Sequence, residues 1–120
     1  YERLARTDAF RFGIDRVIRG ADEHCIVLMC AEKEPLECHR ALLVAPCLDK
    51  AGIVVKHILG DGRVEAHAAT MERLLELVGM PREDIFRSKS ELMEEALIRQ
   101  AGRVAFVDER PPAIESRGPR

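Results

Sequence analysis

Two short apolar runs flanking an apolar helix-forming stretch constrain this chain more than any other feature. Cys25-Ile26-Val27-Leu28-Met29-Cys30-Ala31 is continuous, partly β-branched and bounded by charge, and it is too short for an independent helix. Such a run reads as a strand covered on both faces, the environment that a parallel sheet supplies. A second run, Ile53-Val54-Val55-Lys56-His57-Ile58-Leu59, follows Gly52 and is closed by the turn signal Gly60-Asp61-Gly62. Between the runs, Pro35 and Glu37 supply helix-start chemistry, and Ala41-Leu42-Leu43-Val44-Ala45 through Leu48 carry an apolar helix to the stop at Ala51-Gly52. Strand, crossover helix and strand in this order form a βαβ unit, whose right-handed crossover makes the two strands parallel.

The rest of the chain predicts more helices than strands. Thr7-Asp8 starts a helix over residues 7–19, with Phe10, Ile14, Val17 and Ile18 on one face and Gly20 as the stop. Met71, Leu74, Leu75 and Val78 form an apolar stripe read as core packing, ending at Gly79 and Pro81. Ser88 and Glu91 make a capping box for a helix carrying Leu92, Met93, Ala96 and Leu97 to Gly102. Arg103-Val104-Ala105-Phe106-Val107 reads as a short last strand. Pro46, inside the central helix, lacks an N–H and clashes with the preceding turn at a cost of about 3 kcal/mol, which predicts a kink or split near Ala45.

Together these elements predict an α/β fold, a three-layer α/β/α sandwich with a mainly parallel sheet and a βαβ core. Residues 1–109 form one domain, as a chain of 120 residues suggests, and residues 110–120 read as a flexible tail. The chain begins at Tyr1 rather than Met, so the N-terminal part of the domain is expected upstream. A truncated sheet would leave an edge exposed, which makes a homodimer a candidate assembly.

Composition narrows the function classes. The chain is 47% hydrophobic and 33% charged with net charge −2, which excludes a disordered protein and an unselective grip on nucleic-acid backbone. A local basic patch leaves nucleic acid open as a partner. No stretch is long and apolar enough for a membrane span or a signal peptide, so a soluble, cytoplasmic protein is expected. Cys25, Cys30, Cys38 and Cys47 are expected as reduced thiols.

In open α/β sheets ligands bind beyond the carboxyl ends of the strands. The loop Glu32-Lys33-Glu34-Pro35-Leu36-Glu37-Cys38-His39-Arg40 lies there and concentrates acid, base, thiol, imidazole and guanidinium. A helix start can hold an anion on its free N–H groups, with Arg40 and Lys33 as contacts, and its field can lower a thiol pKa, making Cys38 a candidate nucleophile. Glu32 is the accompanying acid/base candidate, His39 a ligand-binding candidate, and His57 comes from the neighbouring strand. Adjacent helical residues point about 100° apart, so Cys38, His39 and Arg40 cannot all face one ligand. Each residue also has a structural reading: Glu32 and Lys33 as a solvated pair, the Cys38–Arg40 cluster as a rigid helix start, His57 as a satisfied strand histidine. Cys30 reads as a small core residue, and His24, Cys25 and His67 as surface or edge residues. No Cys-x-x-Cys pair is present, and Cys38 and Cys47 fall on one apolar helix, which argues against a metal site at Cys30, Cys38, His39 and Cys47. No cofactor is expected.

The string Cys30-Ala31-Glu32-Lys33-Glu34-Pro35-Leu36-Glu37-Cys38-His39-Arg40, with Leu42-Leu43-Val44 and His57-Ile58, resembles the C-terminal half of the domain of unknown function 488 family. The resemblance runs from Tyr1 through Phe10–Gly13 to Phe106-Val107-Asp108-Glu109, and Pro46 departs from it. It implies an α/β protein with a further N-terminal strand and loop, and it implies no activity. Two functions follow from the residues: binding or processing of a small anionic or nucleotide-like ligand at Cys30–Arg40, or a non-catalytic module that binds nucleic acid or a protein partner. The second rests on the lack of a Gly-rich phosphate loop or a triad in recognisable spacing.

Overall fold

The structure, a computed structural model, describes residues 2–108. The predicted tail over residues 110–120 lies outside the described residues. Helices α1 (Glu2–Ala5) and α2 (Asp8–Ala21) come first, followed by an extended segment without regular structure from Cys25 to Cys30. A 3-10 turn (Pro35–Glu37), a π-helical turn (Arg40–Val44) and α3 (Ala45–Lys50) form the central helical stretch. Strands β1 (Lys56–Ile58) and β2 (Val64–Ala66) then precede α4 (His67–Leu77) and α5 (Lys89–Asp108).

This architecture overturns the expected three-layer α/β/α sandwich. The sheet has two strands, β1 and β2, paired antiparallel with Lys56 opposite Ala66, His57 opposite Glu65 and Ile58 opposite Val64. The turn signal Gly60-Asp61-Gly62 therefore closes a hairpin rather than ending a parallel strand. Leu59 N–H donates to Arg63 O at 2.8 Å, Arg63 N–H donates to Asp61 Oδ1 at 3.0 Å, and Gly62 takes φ +87°, a left-handed conformation natural for glycine. No main-chain group of Cys25–Cys30 makes a backbone–backbone hydrogen bond among the described residues, so the expected buried strand is an exposed extended segment. With no ladder between it and β1, the βαβ unit does not form. The third expected strand is also helix: Arg103–Val107 continues α5, whose buried Leu92, Ala96 and Gln100 recur every fourth residue through the weak stop at Gly102.

Helix boundaries follow local chemistry closely. Thr7 caps α2, its Oγ1 accepting from Phe10 N–H at 3.2 Å. Phe10, Ile14, Val17 and Ile18 turn one half-buried face inward, and α2 packs on α3. At the C-terminus of α4, Gly79 takes φ +72° while Met80 N–H donates to Leu75 O at 2.9 Å, a closing turn that buries the Met80 side chain. Ser88 caps α5 by accepting from Glu91 N–H at 3.2 Å. The split near Pro46 takes a specific form: the helix widens to π register before it, Ala45 N–H reaching back to Arg40 O, and α-helix resumes at Ala45. A π turn suits a proline, since the missing N–H breaks the normal ladder at that point.

The core sits where α4 and α5 clasp the Pro35–Glu37 turn. Leu36, Met71, Leu74, Leu75, Met80, Leu92 and Ala96 form one buried cluster, with Val78, Met93 and Leu97 against its edge. Gln100 ties the clasp, Nε2 donating to Leu36 O at 2.7 Å. Ala41, Leu42, Leu43, Ala45 and Leu48 bury the central helical stretch. No helix of the described residues is long and apolar enough to cross a membrane.

Candidate functional site

Because the two apolar runs do not pair, a cleft of about 680 Å³ opens between them, floored by the central helical stretch. Its walls are the extended segment Cys25–Cys30 and residues 53–60, and Glu32, Lys33, Arg40, Lys56 and His57 supply its polar groups. The apolar lining is wet: Met29 is 90% exposed, Val54 84% and Val27 64%. Most of an isolated apolar strand has nothing to cover it when neither edge is paired.

Arg40 is the best-defined polar group of the cleft. Its Nη2 donates to Glu32 O at 2.6 Å and its Nε to Cys38 Sγ at 3.2 Å, while Arg40 N–H donates to the same sulfur at 3.3 Å. A carbonyl and a thiol fix the guanidinium without neutralising it, and no carboxylate of the described residues lies in ion-pair range. Cys38 itself is wholly buried and does not line the cleft, and His39 is exposed and also lies outside it. Of the three consecutive candidates, Arg40 lines the cleft and Cys38 and His39 do not. Glu32 and Lys33 are exposed at the mouth, and His57 is buried at the base, 6% exposed.

Cys30 is exposed at the cleft rather than packed in the core as its sequence context suggests, whereas Cys38 is wholly buried. The Cys38 thiol and the backbone N–H groups of Glu32 and Ala31 hold the Cys30 thiol below its ordinary pKa. Burial pushes the Cys38 thiol up, as does the Cys30 thiol, against the opposing pull of Arg40. The candidate thiol read from the sequence was Cys38, whose pKa is pushed up; the thiol held down is Cys30, which the sequence reading had placed in the core.

His67, read from sequence as a surface residue, is buried and pairs with His57: Nε2 of His57 lies 3.0 Å from Nδ1 of His67. The first residue of α4 thus reaches the second residue of β1. Burial holds both imidazoles neutral, driving His57 down to about 4 with help from the His67 charge, and lowering His67 by burial. One neutral ring donates and the other accepts, a pairing that a doubly protonated pair could not make. Nearby, Arg73 clamps Glu65 (Nε to Oε2, 2.9 Å; Nη2 to Oε1, 2.9 Å) and reaches Glu34 at 3.0 Å. Neither His67 nor Arg73 announced itself in the sequence, because the hairpin that brings α4 to the cleft depends on Val64-Glu65-Ala66. The signal for that strand was the Asp61-Gly62 turn flanked by Ile58 and Val64.

Among the described residues, no cluster of three or more His, Cys, Asp or Glu side chains is arranged to hold a metal ion. Searches of curated proteins and of solved structures find no match for the chain. The family match is confined to the start of the chain, whereas the resemblance was expected to continue through His57-Ile58 to Phe106-Val107-Asp108-Glu109. It takes in the extended segment, the loaded loop and the helix up to the proline: residues 1–46 match the family model described as Domain of unknown function DUF488.

Proposed function

We propose that the cleft binds a small anionic, nucleotide-sized molecule, with Arg40 as the principal charge contact and Lys33 as a second at the mouth. The observation that carries this reading is a half-buried guanidinium fixed by neutral acceptors beside a cavity of about 680 Å³. That volume is within the range of small-molecule sites, which runs from about 300 to 1,000 Å³. A guanidinium held by neutral partners keeps its charge for a ligand, and its planar donors suit a phosphate or carboxylate. In this reading Cys38 positions Arg40, Glu32 lies at the mouth within reach of a bound group, and neutral His57 offers one hydrogen bond at the base. His39 does not line the cleft and is not a ligand contact in this reading.

The test is calorimetric titration of the protein with AMP, ADP and inorganic phosphate. Binding by at least one, weakened roughly tenfold to a hundredfold by Arg40→Ala and less by Lys33→Ala, is expected for a charge-assisted contact. Binding unaffected by Arg40→Ala would overturn the assignment. A second reading, a protein partner adding an extended apolar segment to the cleft, is favoured by the exposure of Val27, Met29 and Val54. Binding of an apolar extended peptide with no response to any phosphate would replace the first reading with this one.

A further inference from the structure

We infer that the cleft is a strand-addition site for the carboxyl-terminal end of an extended peptide, with the peptide's terminal carboxylate on Arg40. Two open main-chain edges border it. On one side, His67 N–H donates to Val55 O at 3.2 Å, Leu59 N–H donates to Arg63 O at 2.8 Å, and His57 stands opposite Glu65. Main-chain groups alternate sides along a strand, so Val55, His57 and Leu59 turn theirs to β2, and Val54, Lys56 and Ile58 turn theirs the other way. All three line the cleft. On the other side, Ile26, Val27, Leu28 and Met29 have no main-chain partner among the described residues. Both segments lead to the same end of the cleft, where a Cβ added to Gly60 would lie 3.6 Å from Lys33 Cβ.

A peptide strand fits these edges because its main chain presents N–H and C=O groups to both sides at once. The side chains agree with this. A Cβ added to Gly20 would lie 3.0 Å from Ile26 Cδ1, so Ile26 packs against the end of α2, and alternation puts Leu28 on the same side. Val27 and Met29 fall on the opposite, more exposed side. An added strand with apolar side chains therefore meets apolar neighbours on both faces. Charge then sets its end and its direction. The Arg40 guanidinium donates to Glu32 O and Cys38 Sγ, so it sits at the Cys30 end of the extended segment, and no carboxylate of the described residues neutralises it. Lys33 stands beside it, and the Glu32 carboxylate at the mouth is exposed and screened by solvent. A carboxylate held at that end makes the peptide run parallel to Cys25–Cys30. That segment extends over about 20 Å at 3.3 Å per residue, so about six peptide residues match it. The inference rests on the Arg40 contact proposed above and joins to it the extended segment of the second reading.

The test is fluorescence anisotropy with the full chain and an N-terminally labelled hexapeptide of alternating threonine and valine that ends in valine with a free carboxylate. Saturable binding is expected, weakened about tenfold when the peptide ends in an amide and again about tenfold or more for the free acid on Arg40→Ala. Val54→Pro removes an N–H that no main-chain group accepts in the free protein; it should weaken binding several-fold while leaving the circular dichroism spectrum unchanged. Hydrogen exchange at Ile26–Met29 should slow when the peptide is saturating. Arg40-dependent binding of phosphate or AMP with no binding of the peptide would overturn this inference and leave the anion site standing. Peptide binding indifferent to both the terminal amide and Arg40→Ala would overturn it together with the Arg40 contact. A dimer in native mass spectrometry, with Ile26–Met29 already protected before peptide is added, would give the edges to a second copy of the chain and also refute it.

Discussion

The buried histidine pair makes the fold acid-sensitive in a pH window that can be calculated. His57 titrates at about 4 in the folded protein against an ordinary value of 6.5, the main cause being burial, then repulsion from His67. Glu65 opposes that shift, while Arg40 and Arg73 add to it. Below pH 6.5 the unfolded chain therefore binds a proton that the folded one refuses, so stability falls as pH drops and levels off below about 4. By pH 4.5 the His57 contribution alone is a loss of about 2.5 kcal/mol. His67, also lowered by burial, acts in the same direction. For a domain of this size that is a drop in melting temperature on the order of 10 °C. The carboxylates do not confuse the window: Glu65, Asp61 and Asp84 are all lowered, so their stabilisation is lost only as pH falls below their ordinary values of 4.5, 3.8 and 3.8. Scanning calorimetry between pH 7 and 4.5, on wild type and on His57→Gln/His67→Gln, reads the effect. A flat melting temperature in wild type, or an equal slope in the double variant, would refute the reasoning.

Two further substitutions probe the packing around the cleft. Leu74 is fully buried in the α4–α5 core, and Leu74→Ala should lower the free energy of unfolding in urea by about 2–5 kcal/mol; a loss under 1 kcal/mol, to order of magnitude, would mean the clasp is loosely packed. Arg73→Ala removes the clamp on Glu65 and Glu34, and because these groups are partly exposed the loss should be only about 1 kcal/mol and should shrink at high salt.

Where local chemistry decides, the sequence was readable. Thr7, Gly79, Ser88 and the Met71/Leu74/Leu75 stripe mark their helices because a cap or an amphipathic face needs only neighbours in sequence. Pro46 forecast the break near Ala45 for the same reason. The errors concern partners distant in sequence. Cys25–Ala31 has the composition of a covered strand, but a strand exists only if another edge pairs with it, and no described residue does. Arg103–Val107 looks β-forming on its own, yet Leu92, Ala96 and Gln100 hold its helix in register from further back. At the site, the loop rich in ionisable groups places Glu32, Lys33 and Arg40 on the cleft, while Cys38 and His39 do not line it. Burial decided the rest: it put Cys38 behind Arg40, left Cys30 exposed, and brought His67 to His57.

Every functional inference above depends on the gap between Cys25–Cys30 and residues 53–55 staying open. Hydrogen exchange of the backbone amides measures this directly. Amides of Ile26, Val27, Leu28 and Met29, which donate to no backbone carbonyl, should exchange near the rate of an unstructured peptide, faster by roughly a thousandfold or more than Leu74 and Leu75 in α4. Protection of Ile26–Met29 equal to that of α4 would mean that the two runs are joined in a sheet, and the cleft with its Arg40 site would not exist.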